Sequence, residues 1–178
     1  MTETREKFIE AKFFFDRMVE NQSVRDAFKF NLSAFLSAAR SVTLFMQKEY
    51  HKVSGFKEWY IKKQDEMGKD PYMKLLDDKR DLTIHQHQVE MKGNVKVEIT
   101  ETIGISDSVS FKLIRQDGTV IEGGSQASKP PNKAKNETRI EWLWYFNDLP
   151  GKDIVALSKE HLEKLEKLII ECESLFKI

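Results

Sequence analysis

The spacing of apolar residues changes period twice along this chain, and that change limits the fold more than any other feature. Over the first part, apolar side chains recur at intervals of three and four: Phe8, Ala11, Phe15, Met18 and Val19, then Phe28, Leu32, Phe35, Leu36, Ala39, Val42 and Met46. From Val95 the interval becomes two, through Val97 and Ile99, then Val109, Phe111 and Leu113, and finally Ile140, Trp142, Trp144 and Phe146. After LPGKD the helical interval returns with Leu157, Leu162, Leu165, Leu168, Ile169, Cys172, Leu175 and Phe176. An interval near 3.6 puts one face of a helix against a core, and an interval of two does the same for a strand. The chain therefore reads as four helices, a small antiparallel sheet and one closing helix.

Local signals set the joints. Ser23 followed by Asp26 predicts a capping box at the start of the second helix. Ser54-Gly55 separates the second helix from a third that ends near Gly68. Asp70 before Pro71 predicts an N-cap with proline in the first helical position, and the fourth helix runs to about Leu82. Asp117-Gly118 marks a hairpin turn, and the sheet is expected to have three or four strands. The closing helix needs a partner for its stripe, and at about 1.5 Å per residue it is long enough to lie along the second helix. The expected architecture is mainly α with inserted β (α+β). It is a single domain, residues 1–178, in which 1–85 and 153–178 form a bundle of about five helices and 88–148 an inserted antiparallel sheet. Residues 123–137, GGSQASKPPNKAKNE, are too polar and too rich in Gly, Ser and Pro to pack, and read as a mobile loop.

Composition excludes several classes of function. Lys plus Arg and Asp plus Glu both number 29, so no global charge draws the chain to nucleic acid or to an acidic membrane, and RNA binding would need a local patch. The one cysteine, Cys172, allows neither an internal disulfide nor a thiolate zinc site, and fits a reducing cytoplasm. No apolar run approaches a membrane span, and the first residues lack the core of a signal peptide. No phosphate-binding glycine loop, serine elbow or paired-carboxylate arrangement is present.

The segment KRDLTIHQHQ, residues 79–88, lies where the helical interval gives way to the strand interval. Arg80, Asp81 and His85 have the form of an arginine, a polar residue and, five positions on from the arginine, a histidine. Here the chain resembles the HEPN (higher eukaryotes and prokaryotes nucleotide-binding) superfamily, whose signature is an arginine, four to six residues and a histidine, with a polar residue after the arginine. FNLSAFLSAARSV, residues 30–42, is similar to that superfamily's long helix rich in small residues. Asp81 stands where asparagine is commoner, and the β insertion that follows His85 has no counterpart in the pattern. The resemblance implies a bundle that dimerises with two motifs facing across a cleft, and a metal-independent ribonuclease or an RNA-binding protein. His85 would move the proton, Arg80 would clamp the phosphate and Asp81 would position either partner.

That chemistry suits the residue types. A histidine with a pKa of about 6.5 can accept the proton of an RNA 2′-OH and return it, and an arginine fork holds phosphate oxygens. On a continuous helix, however, residues five apart point about 140° away from each other. Either the helix unwinds after Arg80, or each arginine works with the histidine of a second protomer. Lys79 beside the motif, and Lys129, Lys133 and Lys135 in the loop, are candidate RNA contacts. His85 and His87 would share one strand face, but no acidic or cysteine cluster completes a metal site, so neither metal nor cofactor is expected. His51 and His161 read as exposed helical residues. Trp142 and Trp144 read first as core or interface. A different class of function is also compatible with these features: a non-catalytic helical module that binds a protein partner or a second copy of itself.

Overall fold

The computed structural model describes residues 1–85, 90–100, 109–114, 118–125 and 137–176. It contains α1 (Glu3–Glu20), α2 (Arg25–Tyr50), α3 (Phe56–Lys69), α4 (Pro71–His85), β1 (Met91–Thr100), β2 (Val109–Ile114), β3 (Val120–Ser125), β4 (Glu137–Phe146) and α5 (Ile154–Leu175). The chain is mainly helical with β structure inserted before its closing helix. Two compact units are present: residues 1–95 with 142–178, and residues 96–141.

In the first unit, α1 starts at Thr2, whose hydroxyl accepts the N–H of Arg5 at 3.2 Å, and Glu3 and Glu6 in its first turn oppose the positive end of the helix dipole. The Ser23 cap is not formed. Val24 occupies the N-cap without a side-chain hydrogen bond, because tertiary contacts hold the preceding turn: Val24 N–H donates to Asn21 O at 3.0 Å, and Trp144 Nε1 donates to Gln22 O at 3.0 Å. α2 buries Phe28, Leu32, Phe35, Leu36, Ala38, Ala39, Val42, Thr43, Met46 and Tyr50, a stripe wider than one neighbouring helix can cover. α1 lies along much of α2, whereas α5, expected to pair with α2 over its whole length, divides its packing among α1, α2 and α4.

Gly55 precedes α3 with φ of 81°, a left-handed conformation that glycine adopts without steric cost. It leads directly into an aromatic cluster in which Phe56 stacks on Tyr50 and Tyr60 and meets Phe176 edge-on. α4 begins as the sequence predicts: Asp70 Oδ1 accepts the N–H groups of Tyr72 and Met73 at 3.0 and 3.1 Å. It ends later than predicted, at His85. Thr83 and Ile84 each cost only a few tenths of a kcal/mol in a helix, too little to break one. Asp153 caps α5 by accepting the N–H of Ala156 at 3.0 Å, and its other oxygen takes the N–H of Trp144 at 3.2 Å. A guanidinium–carboxylate fork, Arg5 to Glu173, ties α1 to α5 at 2.6–3.0 Å.

The expected sheet of three or four strands is instead two two-stranded pairings, β1 with β4 and β2 with β3. A two-residue period identifies strands but does not say which edges meet. β2 and β3 run antiparallel, from Val109 opposite Ser125 to Ile114 opposite Val120, joined through Gly118 at φ 86°. In the first unit, Asn147 N–H donates to Glu90 O at 3.4 Å, and Gly93 faces the Trp144 ring so closely that a Cβ there would sit 2.7 Å from it. Trp144 in turn stacks on Phe28 with centroids 4.9 Å apart, and Phe146 is fully buried. The aromatic end of β4 therefore belongs to the core of the bundle. Among the described residues no helix is long and apolar enough to cross a membrane. The expected loop at 123–137 falls largely outside the described residues, apart from its ends in β3 and β4.

Candidate functional site

Three consecutive residues near the end of α4 have three different surroundings, because each position on a helix is turned about 100° from the last. Lys79 is buried, with Nζ 2.5 Å from Asp148 Oδ2 and 5.1 Å from the centre of the Phe146 ring. That hydrogen bond holds the Asp148 carboxyl below the usual carboxylate range. Lys79 thus has a structural partner in the bundle rather than an exposed ammonium. Arg80 is about a quarter exposed. Its Nη1 donates to Asp81 Oδ1 at 2.7 Å, while its Nε is enclosed and has no hydrogen-bond partner. Asp81 is largely exposed and lines the cavity described below.

His85 is the last residue of α4, and its side chain lies outside the described residues, as do His87, Lys129, Lys133 and Lys135. The uninterrupted helix from Arg80 to His85 decides one open question. It does not unwind between them, so within one chain the two positions point about 140° apart.

The four helices α2, α3, α4 and α5 line an open cavity of about 310 Å³, at the lower end of the volumes typical of ligand sites. Ala39, Met67, Met73 and Leu165 supply apolar wall. α4 contributes Lys74, Asp77, Asp78 and Asp81, and α2 contributes Arg40. Arg40 Nε is 4.0 Å from Asp77 Oδ1, and its Nη1 donates to Thr43 Oγ1 at 3.0 Å. Partial burial pushes the Asp77 carboxyl above the usual carboxylate range; Arg40 works against the rise and Asp81 adds to it. On α3, the Tyr60 hydroxyl accepts from Gln47 Nε2 at 3.1 Å, and burial raises its pKa despite a hydrogen bond with Thr43.

His161 also lines this cavity, which corrects its expected exposure: it is only 7% exposed, with its ring edge-on to Phe35. Burial first, and then the nearby Lys164 ammonium, push its pKa down to about 4, with Asp70 opposing. The ring is therefore neutral at pH 7, and its Nδ1 has no partner. A signal for this burial was present in the sequence. His161 falls at the helical interval between Leu157 and Leu165, on the stripe that continues through Leu168 and Cys172. His51, by contrast, is exposed at the end of α2, as expected. Among the described residues, no group of three or more His, Cys, Asp or Glu side chains is placed to hold a metal ion.

A five-helix protein with a β insertion and a polar cavity between its last four helices is the class that fold and site define. The family model described as bacteriophage lambda protein ea47 matches residues 10–173, from within α1 to within α5, and the chain belongs to that family. No curated protein and no solved structure matches the chain.

Proposed function

We propose that this protein is a HEPN-like cytoplasmic protein that acts on RNA as a homodimer, with Arg80 of one copy working beside His85 of the other. The observation that carries this reading is the Arg80–Asp81 contact. Asp81 holds one nitrogen of the guanidinium at 2.7 Å, the positioning role its place in the motif suggests, while the arginine side chain stays about a quarter exposed. A phosphate oxygen is a strong acceptor for the exposed part of a guanidinium held in this way. The straight course of α4 supports the composite arrangement, since a single chain cannot turn both positions to one side. In the proposed reaction the imidazole of His85 takes the proton of a ribose 2′-OH. The oxygen then attacks the adjacent phosphorus and the bond to the 5′-oxygen breaks. The imidazolium returns its proton to that leaving oxygen, giving a 2′,3′-cyclic phosphate and a free 5′-OH without a metal.

Cleavage of single-stranded RNA in EDTA, compared among wild type, Arg80→Ala and His85→Ala, tests the reading. Cyclic-phosphate products from the wild type, with losses of roughly 100-fold or more in each variant, are expected. Undiminished cleavage by either variant, or cleavage that requires added metal, sinks the proposed mechanism. A second reading, a non-catalytic module binding a protein partner or a second copy, draws on Ile9 and Phe13. These two apolar residues are each about half exposed and stand one turn apart on α1. Wild type without cleavage activity, but self-associating through this face, would favour that second reading.

A further inference from the structure

α2 buries one face in the bundle, and its opposite face carries a second pattern. Phe30, Ala34, Ser37, Ser41 and Leu44 follow one another at intervals of four, three, four and three. At about 100° per residue these positions fall in a strip about 80° wide, on the side of the helix away from Phe28, Leu32, Phe35, Ala39 and Met46. The two ends of the strip are large and apolar, and both stand in solvent: Phe30 is 59% exposed and Leu44 45%. Between them the short side chains of Ala34, Ser37 and Ser41 are half-buried, and the Ser41 hydroxyl donates to Ser37 O at 2.8 Å within its own helix. One turn beyond Phe30 stands Asp26, exposed, and one turn beyond Leu44 stands Lys48, its side chain 71% exposed. Lys48 meets Glu3 of α1 at 3.3 Å, an exposed pair that water screens and that leaves the ammonium donors for a second carboxylate. The pattern is symmetric about Ser37. Phe30 and Leu44 lie seven residues to either side of it, and the opposite charges of Asp26 and Lys48 lie eleven to either side.

We propose that this face of α2 is where two copies of the chain meet, the two helices crossing antiparallel about a twofold axis at Ser37. Phe30 then lies against Leu44 of the second copy, and Leu44 against its Phe30. At both ends Asp26 of one copy faces Lys48 of the other. A contact between identical patches requires this kind of symmetry, and a partner of different sequence does not. The charges also select the direction, because a parallel pair would set Asp26 against Asp26 and Lys48 against Lys48. The short side chains near the axis let the two backbones approach. A nucleic acid would meet one carboxylate for each cation here, and a lipid surface would have to take both charges along with two apolar residues about 21 Å apart. α4 packs on the flank of α2 that bears Arg40, whose Nε is 4.0 Å from Asp77 Oδ1. A twofold axis perpendicular to α2 and lying in the interface reverses the helix without exchanging its flanks. Both α4 helices therefore come to the same side of the pair, as a composite of Arg80 and His85 needs. The inference rests on the homodimer of the proposed function and adds where the copies meet.

Sedimentation velocity of the full chain over a dilution series at low salt tests this, with circular dichroism as the check on folding. The wild type is expected to dimerise, and Phe30→Glu, a change at an exposed position, to be monomeric with an unchanged spectrum. Asp26→Lys and Lys48→Glu each bring like charges together at both ends of the contact, and each is expected to weaken the dimer at least about tenfold. Both changes in one chain restore opposite charges, and the association is expected to return; damage to the helix would not be repaired in this way. Phe13→Glu, on the exposed face of α1, is expected to leave the dimer intact. A wild type that stays monomeric into the millimolar range, a dimer unmoved by Phe30→Glu or lost with Phe13→Glu, or no recovery in the doubly reversed chain would overturn the inference. A dimer that meets these expectations yet leaves RNA uncut would sink only the proposed reaction, whereas RNA cleavage by a dimer that ignores Phe30→Glu would sink only this interface.

Discussion

Protonating His161 would put a positive charge on a buried ring beside Lys164, which is why its pKa falls to about 4. The unfolded chain takes the same proton near 6.5. Between these values the unfolded state holds the extra proton, so stability is complete above about pH 6.5 and declines as the pH falls toward 4, by about 3 kcal/mol in all. Urea midpoints measured across that interval should show the decline, and His161→Leu should flatten it; a wild type with no slope there would contradict the burial of the neutral ring. Asp77 acts with the opposite sign, because its raised pKa favours the protonated folded state in acid. Asp77→Asn is accordingly expected to raise the thermal midpoint at pH 7, as relief of a crowded carboxylate does. A lower midpoint would mean that its pairing with Arg40 outweighs the crowding. Sequence spacing placed most of the buried apolar residues correctly, since periodicity depends only on which face is covered. It missed the interhelical cavity, whose polar lining comes from positions as far apart as Arg40, Asp77 and His161 and is assembled only by tertiary packing.

At the scale of elements, the boundaries most legible in the sequence were those with a local chemical cause. Asp70-Pro71 caps α4 as its residues suggest, while Ser23 is passed over because Trp144 and the turn at Asn21 decide where α2 begins. The pairing of strands was less legible for the same reason: alternation shows that β1, β2, β3 and β4 are strands, and long-range contacts choose their partners. Gly93 in β1 shows such a contact at atomic size. An alanine methyl would occupy space held by the Trp144 ring, which cannot retreat because it stacks on Phe28 and donates to Gln22. Gly93→Ala should therefore destabilise by about 1–3 kcal/mol, the range of an overpacked core. Chemical denaturation followed by tryptophan fluorescence checks this, and an unchanged midpoint would show that the ring has room to move.

Across the whole molecule, the proposed composite site has a consequence for stoichiometry. Arg80→Ala and His85→Ala chains, each inactive alone, should complement when mixed and allowed to exchange. In a random mixture half the dimers are mixed and each carries one intact site, so about a quarter of wild-type cleavage returns. No recovery, with exchange shown to have occurred, would rule out sharing between copies. The family match runs from residue 10 to residue 173, a span that includes helices and β structure alike. α4 itself is pinned twice, by Asp70 to Lys164 at its start and by Lys79 to Asp148 near its end. Two anchors nine residues apart, about 13 Å along the axis, leave the helix free neither to slide nor to roll. α4 then behaves as a ruler. In a symmetric pair, the gap between one motif and its mate is set by where the two bodies meet, so a change in the length of nucleic acid spanned would have to come from the interface and not from the motif.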